Sequence, residues 1–211
     1  MNSGSSLDLP WYDNLIRINS LSNGDCYFHS ILMSFNPEYK KATCIKERIH
    51  MAKKLRHDLA NRLEEVDPET GLIVYDTLSR GKLKEFGEFV PCYSLTNLKA
   101  LLRSNNSVDY VFNELVSNEF DIDIYIINYA KKEVNLVDHE ADILYKNRDS
   151  VVLLFLPGSE HYELVGLSLD TEEDIEKRDH EKVSSQAKTL FDHDHDFIKV
   201  IRNRMKNMYR G

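Results

Sequence analysis

Apolar residues recur at three- and four-residue intervals from Thr43 to Val66, where Ile45, Ile49, Ala52, Leu55, Leu59, Leu63 and Val66 form one stripe. That period predicts a long amphipathic helix ended by Pro68. Pro37 after Asn36 suits the first turn of a short helix ahead of it. Two further helices are announced by Ser94 before Leu95, Leu98, Leu101 and Leu102, and by Ser107 before Val108, Val111, Phe112 and Leu115, with each serine a predicted N-cap. Between the long helix and these, Leu72 to Phe89 carries no clear period.

From Asp121 the pattern changes. Ile122 to Tyr129 is rich in isoleucine and tyrosine, and Val151 to Leu156 is an apolar run closed by Pro157 and Gly158. His161 to Leu167 follows that turn at hairpin spacing, and Val134 to Val137 supplies a fourth short run. Helices first and a small antiparallel sheet afterwards predict an α+β domain. Past it lie an acidic stretch, Asp170 to Asp179, and a tail in which Val183, Ala187, Leu190, Phe197, Ile198, Ile201, Met205 and Met208 share one helical face. The expected organisation is an N-terminal extension over 1–14, a catalytic-sized domain over 15–168, and a linker with an amphipathic C-terminal helix over 169–211.

The 211 residues suit one such domain with a terminal appendage. Charge narrows the partners: 27 Lys and Arg against 35 Asp and Glu leave a net charge of −8, which argues against a backbone-driven nucleic-acid binder. The three cysteines, Cys26, Cys44 and Cys92, have neither metal-ligand spacing nor the density of a secreted disulfide framework. No apolar run reaches the ~18 residues of a membrane span, and Met1 to Pro10 lacks the features of a signal peptide. A reducing, cytoplasmic setting is expected, the host's cytoplasm if the source is a virus or an intracellular bacterium. The run Asp192-His193-Asp194-His195-Asp196 has metal-ligating side chains, but His193 and His195 diverge on a helix. A polar break or helix cap is the expectation, with Asp196 or Asp194 starting the final helix and no metal or cofactor.

The segment with chemical content is Asn23-Gly24-Asp25-Cys26-Tyr27-Phe28-His29-Ser30-Ile31. A polar turn delivers Cys26 to the first turn of a helix, whose buried face is supplied by Phe28, Ile31, Leu32 and Phe35. There the positive end of the helix dipole and unpaired N–H groups favour the thiolate and lower the thiol pKa. Backbone N–H groups of Gly24, Asp25 and Cys26 are candidate oxyanion donors, and glycine at 24 permits close approach. A cysteine nucleophile needs a base, and among eight histidines His161 is best placed, at the mouth of a strand. Glu163, two residues on, shares its face and is a candidate to orient the ring. Cys44 and Cys92 have no such setting, His29 is expected to pack or cap locally, and His50, His57, His139 and His180 are read as surface residues.

These two segments, Asn23 to Ile31 and His161-Tyr162-Glu163-Leu164, together resemble the paired signature of OTU (ovarian tumour) cysteine peptidases, over roughly Leu15 to Leu167. Ile122-Asp123-Ile124-Tyr125-Ile126-Ile127 resembles the strand preceding the histidine strand in that family. The resemblance implies a papain-like OTU fold, with a small central antiparallel sheet flanked by helices and here an extra C-terminal helix. It implies hydrolysis after the C-terminal glycine of ubiquitin by Cys26 and His161 through a thioester. The implied partner is ubiquitin or a polyubiquitin chain, or another ubiquitin-like modifier, and a monomer is expected. Two departures stand out: Asn23 where the family usually has aspartate, and Glu163 where it commonly has asparagine or aspartate. The third member of the triad is thus open between Glu163, Asn23 (orienting or part of the oxyanion loop) and a backbone group. A catalytically impaired ubiquitin-binding module is the alternative that these departures raise.

Overall fold

The computed structural model describes residues 4–108, 110–135, 141–169 and 187–208, with side chains to 205. Strands β1 (Gly4–Ser6) and β2 (Leu15–Ile18) open the chain, and the helices α1 (Cys26–Phe35), α2 (Pro37–Lys41), α3 (Ile45–Arg62), α4 (Val74–Thr77), α5 (Lys82–Phe89), α6 (Leu95–Arg103) and α7 (Asn113–Phe120) follow. Then come β3 (Ile122–Asn128), β4 (Glu133–Val134), α8 (Ala141–Leu144), β5 (Asp149–Leu156), β6 (His161–Ser168), β7 (Ala187–Lys188) and α9 (Asp196–Met208). The sheet has seven strands in the order β1-β2-β6-β5-β3-β4, with β7 also paired to β6.

The helices-then-sheet order holds, and the sheet is antiparallel except that β3 and β5 run parallel in register from Ile122↔Asp149 to Asn128↔Phe155. That pair corrects the expectation of a wholly antiparallel sheet. The reason lies in burial: β3 is buried from Ile122 to Ile127 and β5 from Ser150 to Leu154, because both of their faces are covered. Continuous apolar runs of this kind belong to parallel strands, and the stretch from β3 to β5 is long enough for a crossover.

One face of the sheet packs under the helical layer. Ile124, Val151, Leu153, Tyr162 and Leu164 meet Tyr27, Phe28 and Ile31 of α1 and Leu55 and Leu59 of α3. The other face, with Tyr125, Ile127, Val152, Leu154 and Val165, is covered by Phe197, Ile198 and Ile201 of α9 and by Leu7 and Leu9 ahead of β2. Gly4–Ser6 pairs with β2, so the residues expected to form an extension build the sheet's edge. Both chain ends thereby close one core.

Several local expectations meet their physics here. Asn36 caps α2 by accepting from the Tyr39 N–H at 2.9 Å, with Pro37 in the first turn. Ser94 caps α6. The long helix stops at Arg62, and Val66, expected on its stripe, is 60 % exposed. Ser107 does not cap α7, which begins at Asn113 after a 3-10 turn from Tyr110 to Phe112. The patternless Leu72 to Phe89 holds α4 and α5, joined through Ser79 and Arg80 at φ 51° and 56°. The Glu114 carboxylate accepts from both the N–H and the hydroxyl of Ser79, stabilising that kink. In the tail, Ala187 and Leu190 lie before the helix, not on it, and Ala187 belongs to β7. Asp196, one of the two aspartates expected there, starts the final helix, and the His195 ring accepts the Phe197 N–H at 3.2 Å. Val183, the acidic stretch, His139 and His180 lie outside the described residues, as do residues 136–137 of the run expected as a strand.

Because Ile201 is fully buried between α9 and the sheet, Ile201→Ala removes several methyl and methylene contacts. A stability loss of about 2–5 kcal/mol is expected, measurable by urea denaturation of the full chain.

Candidate active site

The turn before α1 is built from backbone constraints. Gly24 has φ +84°, and a Cβ placed on it would lie 2.1 Å from the carbonyl oxygen of Asn105. Only glycine permits both the left-handed conformation and that approach. On its other side, Asn23 Oδ1 accepts from the Asp25 N–H at 3.2 Å, closing an Asx turn. The same oxygen lies 3.2 Å from His29 Nε2, and the Tyr39 hydroxyl lies 2.7 Å from His29 Nδ1. Burial pushes His29 down to about 4 from an ordinary value near 6.5, and Tyr39 up to about 12. Near neutral pH the phenol therefore donates to Nδ1, and neutral His29 donates its Nε2–H to Asn23. His29, expected to pack or cap locally, is what holds the asparagine in place.

Arg56 ties this turn to the rest of the helical layer. Its side chain is almost fully buried and meets Asp25 Oδ1 at 2.5 Å. It also donates to the carbonyls of Leu102 at 2.9 Å, Leu101 at 2.6 Å, Asn106 at 3.0 Å and Gly24 at 3.3 Å. The Leu101 and Leu102 carbonyls end α6, where the helix dipole favours a cation. The guanidinium thus fixes the cysteine turn against the 104–106 loop through five oxygens on three segments.

Cys26 opens α1 and is 4 % exposed. The backbone of Tyr162, the residue adjoining His161, and that of Tyr27 act on its thiol in favour of the thiolate, and Ser30 and Tyr27 of α1 contact Tyr162 directly. Folding thus brings the two sequence-distant segments together at Tyr162. The meeting point follows from register: β2 pairs with β6 up to Ile18↔Leu164, and Ser20, two residues past Ile18, reaches the Tyr162 backbone. Ser20 and Ser30 donate to its carbonyl, at 2.5 Å and 3.3 Å.

His161 is partly buried, and its Nε2 faces the Ser20 hydroxyl at 3.4 Å. Burial lowers its pKa, opposed by the charge of Glu163 and assisted by that of Arg17. Glu163 shares a strand face with His161 as expected, but its carboxylate is held bidentately by Arg17 of β2 at 2.7 Å and 2.8 Å. It influences the imidazole through its charge and does not orient it by a hydrogen bond. Three expectations are thereby corrected. Glu163 serves Arg17, and the Asp25 N–H is consumed by Asn23 and so is not an oxyanion donor. The thiol's pKa is raised, because desolvation outweighs the N–H groups of the helix start.

Ser20, Arg17 and Arg56 escaped sequence reasoning. Arg56 had a signal, since it stands beside Ala52, Leu55 and Leu59 on an apolar stripe where an unpaired cation would be costly. Ser20 had none, as its role depends on where β2 stops. Cys44 and Cys92 are exposed free thiols. Among the described residues no three His, Cys, Asp or Glu side chains converge on a metal-sized site.

No protein-family model matches the sequence, and no curated protein matches it. Solved structures do. An ovarian tumor (OTU) domain determined in complex with ubiquitin aligns over 92 % of this chain and 84 % of its own, with a TM-score of 0.54 at 11 % identity. An OTU deubiquitinase from Wolbachia pipientis wMel aligns over 80 % and 99 %, at 0.47 and 15 %. The OTU domain of OTUD1 aligns over 72 % and 85 %, at 0.41 and 12 %. The chain has the OTU-domain fold, as its two motif segments led one to expect.

Gly24→Ala forces a side chain into the left-handed region and against the Asn105 carbonyl. A loss of at least about 1–3 kcal/mol is expected from the backbone conformation alone, read by chemical denaturation. His29 gives a pH signature. Its folded pKa lies below the unfolded one, so the unfolded chain binds the proton more readily. Its contribution is complete above about pH 6.5 and is lost as pH falls towards 4, a total of roughly 3 kcal/mol. Denaturation midpoints across that window should fall for the native chain, and should fall less steeply for His29→Gln.

Proposed function

We propose that this chain is a cysteine peptidase that removes ubiquitin, cleaving after its C-terminal glycine. The observation that carries the reading is the docking of α1, which Cys26 opens, on the Tyr162 segment beside His161, through the Tyr27 ring and the Ser30 hydroxyl, within a fold shared with an OTU domain solved with ubiquitin.

His161 accepts the Cys26 proton, and the thiolate attacks the carbonyl carbon of the scissile bond. Charge develops on the carbonyl oxygen at the start of α1, where the Cys26 N–H and the positive end of the helix dipole favour it. Collapse expels the amine, protonated by His161, and leaves a thioester on Cys26. Water, deprotonated by His161, then hydrolyses that thioester and regenerates the thiol. A free catalytic thiol needs a reducing compartment, and we assign the enzyme to the cytoplasm on that ground.

A second reading, a ubiquitin-binding module without turnover, draws on the buried, pKa-raised thiol. A ubiquitin probe with a C-terminal electrophile separates the two. The enzyme reading expects covalent labelling that disappears in Cys26→Ala and slows by about 10²–10⁴-fold in His161→Ala, read by gel shift. Retained ubiquitin binding with no labelling of the native chain would favour the module. Probes built on other ubiquitin-like modifiers, run in parallel, identify the modifier.

A further inference from the structure

We infer that Ser20 is a positioning residue that fixes the His161 tautomer, holding the ring proton on Nε2 and leaving the Nδ1 lone pair to take the proton of Cys26. The inference rests on one hydroxyl with one proton. Ser20 Oγ lies 2.5 Å from the Tyr162 carbonyl oxygen and 3.4 Å from His161 Nε2. A carbonyl oxygen has no proton to give, and two oxygens at 2.5 Å without a proton between them repel. The Ser20 proton therefore lies towards Tyr162, and Oγ is left with lone pairs only on its other side. Only a protonated Nε2 makes a favourable contact there.

The surroundings hold Ser20 to this role. It is 9 % exposed and lies two residues past Ile18, the last residue of β2 paired to β6, with its hydroxyl on the Tyr162 carbonyl. Glu163, the obvious alternative for orienting the ring, is saturated by the bidentate Arg17 contact. Asn23 is likewise engaged, its carbonyl oxygen taken by Asp25 and His29. The neutral ring thus acts as a base at Nδ1 towards the thiol, and Nε2–H stays on Ser20 when the imidazolium forms. A hydroxyl serves as the ring's second partner in place of a carboxylate or carboxamide, which suits an imidazole that burial keeps neutral at rest.

The assignment rests on the proposed Cys26–His161 pair, and its test has arms independent of ubiquitin. Long-range proton–nitrogen spectra of the full chain carrying ¹⁵N-histidine, with His161 identified by comparison with His161→Gln, report the tautomer directly. A protonated Nε2 and a bare Nδ1 are expected in the neutral ring; the proton on Nδ1 would overturn the assignment. Alkylation of the Cys26 peptide by iodoacetamide, followed by mass spectrometry, reads thiolate formation without any substrate. Ser20→Ala should slow it by about tenfold, the worth of one ordinary hydrogen bond, and Ser20→Thr should restore most of the rate. The same pattern is expected in kcat on ubiquitin substrates with KM little changed. An undiminished alkylation rate in Ser20→Ala would overturn the role. If Ser20→Ala does not fold, the native and Ser20→Thr spectra decide, since a proton on Nδ1 in either rejects the assignment. A native chain that cleaves no ubiquitin substrate, yet shows the Nε2 proton and the Ser20-dependent alkylation, sustains Ser20 while rejecting the deubiquitinase reading.

Discussion

A peptide group buried at the end of a strand must find hydrogen-bond partners, and in this molecule the peptide edge of Tyr162 finds them in the catalytic candidates. β2 leaves β6 after Ile18↔Leu164, and the buried Tyr162 carbonyl just beyond is met by the hydroxyls of Ser20 and Ser30. Leaving such a group unpaired would cost on the order of 1–3 kcal/mol, so the strand's early end specifies where α1 must dock. Tyr162 itself is buried against Tyr27 and Phe155, which fixes the same contact from the apolar side. The helix that Cys26 opens, the residue beside His161 and the hydroxyl facing that ring are thus joined at one backbone unit.

The second constraint is the Arg56 guanidinium. A buried cation is tolerated only with its hydrogen bonds filled, and here every oxygen it contacts belongs to the cysteine turn, to the end of α6 or to the loop that crosses Gly24. The pair with Asp25 leaves Asp25 Oδ2 without a partner, which is unusual for a carboxylate oxygen so deeply buried. That arrangement is a poor way to gain stability and an effective way to specify one conformation of the turn. The His29 and Tyr39 chain does the same from the opposite side of Asn23, so the turn is gripped by a charged contact and a neutral one.

Much of this was legible in the sequence, and what was not has a common cause. Period and capping residues located α2, α3, α6 and the strands β3, β5 and β6, because those signals are local. The Cys26 and His161 segments were legible because a polar turn with glycine before an apolar helix, and a histidine after a Pro-Gly turn, each carry their own chemistry. The parallel pairing of β3 with β5 had a trace in their continuous apolar runs. Glu163 was misread because strand periodicity gives the face a side chain occupies, not the neighbour that claims it, and Arg17 reaches it across β2. Ser20 depends on the register at which one strand abandons another, a property of two segments far apart in the chain. The raised thiol pKa was hidden for the same reason: a helix start is visible in sequence, whereas the tertiary burial that outweighs it is not.

That burial bears on how such a site works. Desolvation raises the Cys26 pKa and lowers that of His161, so both shifts favour the uncharged pair at rest. Proton transfer from sulfur to imidazole creates two opposite charges in the region that disfavours each alone, and their mutual attraction is stronger there than in water. The ion pair is then stabilised chiefly by itself, by the Tyr162 and Tyr27 backbone around the sulfur, and by the Glu163 charge near the ring. Glu163 meets this need best when it is held still, since a carboxylate clamped by Arg17 acts on the imidazolium through space without competing for its protons. In the proposed mechanism the Glu163 charge favours the imidazolium while that of Arg17 opposes it, and the Ser20 hydroxyl supplies direction.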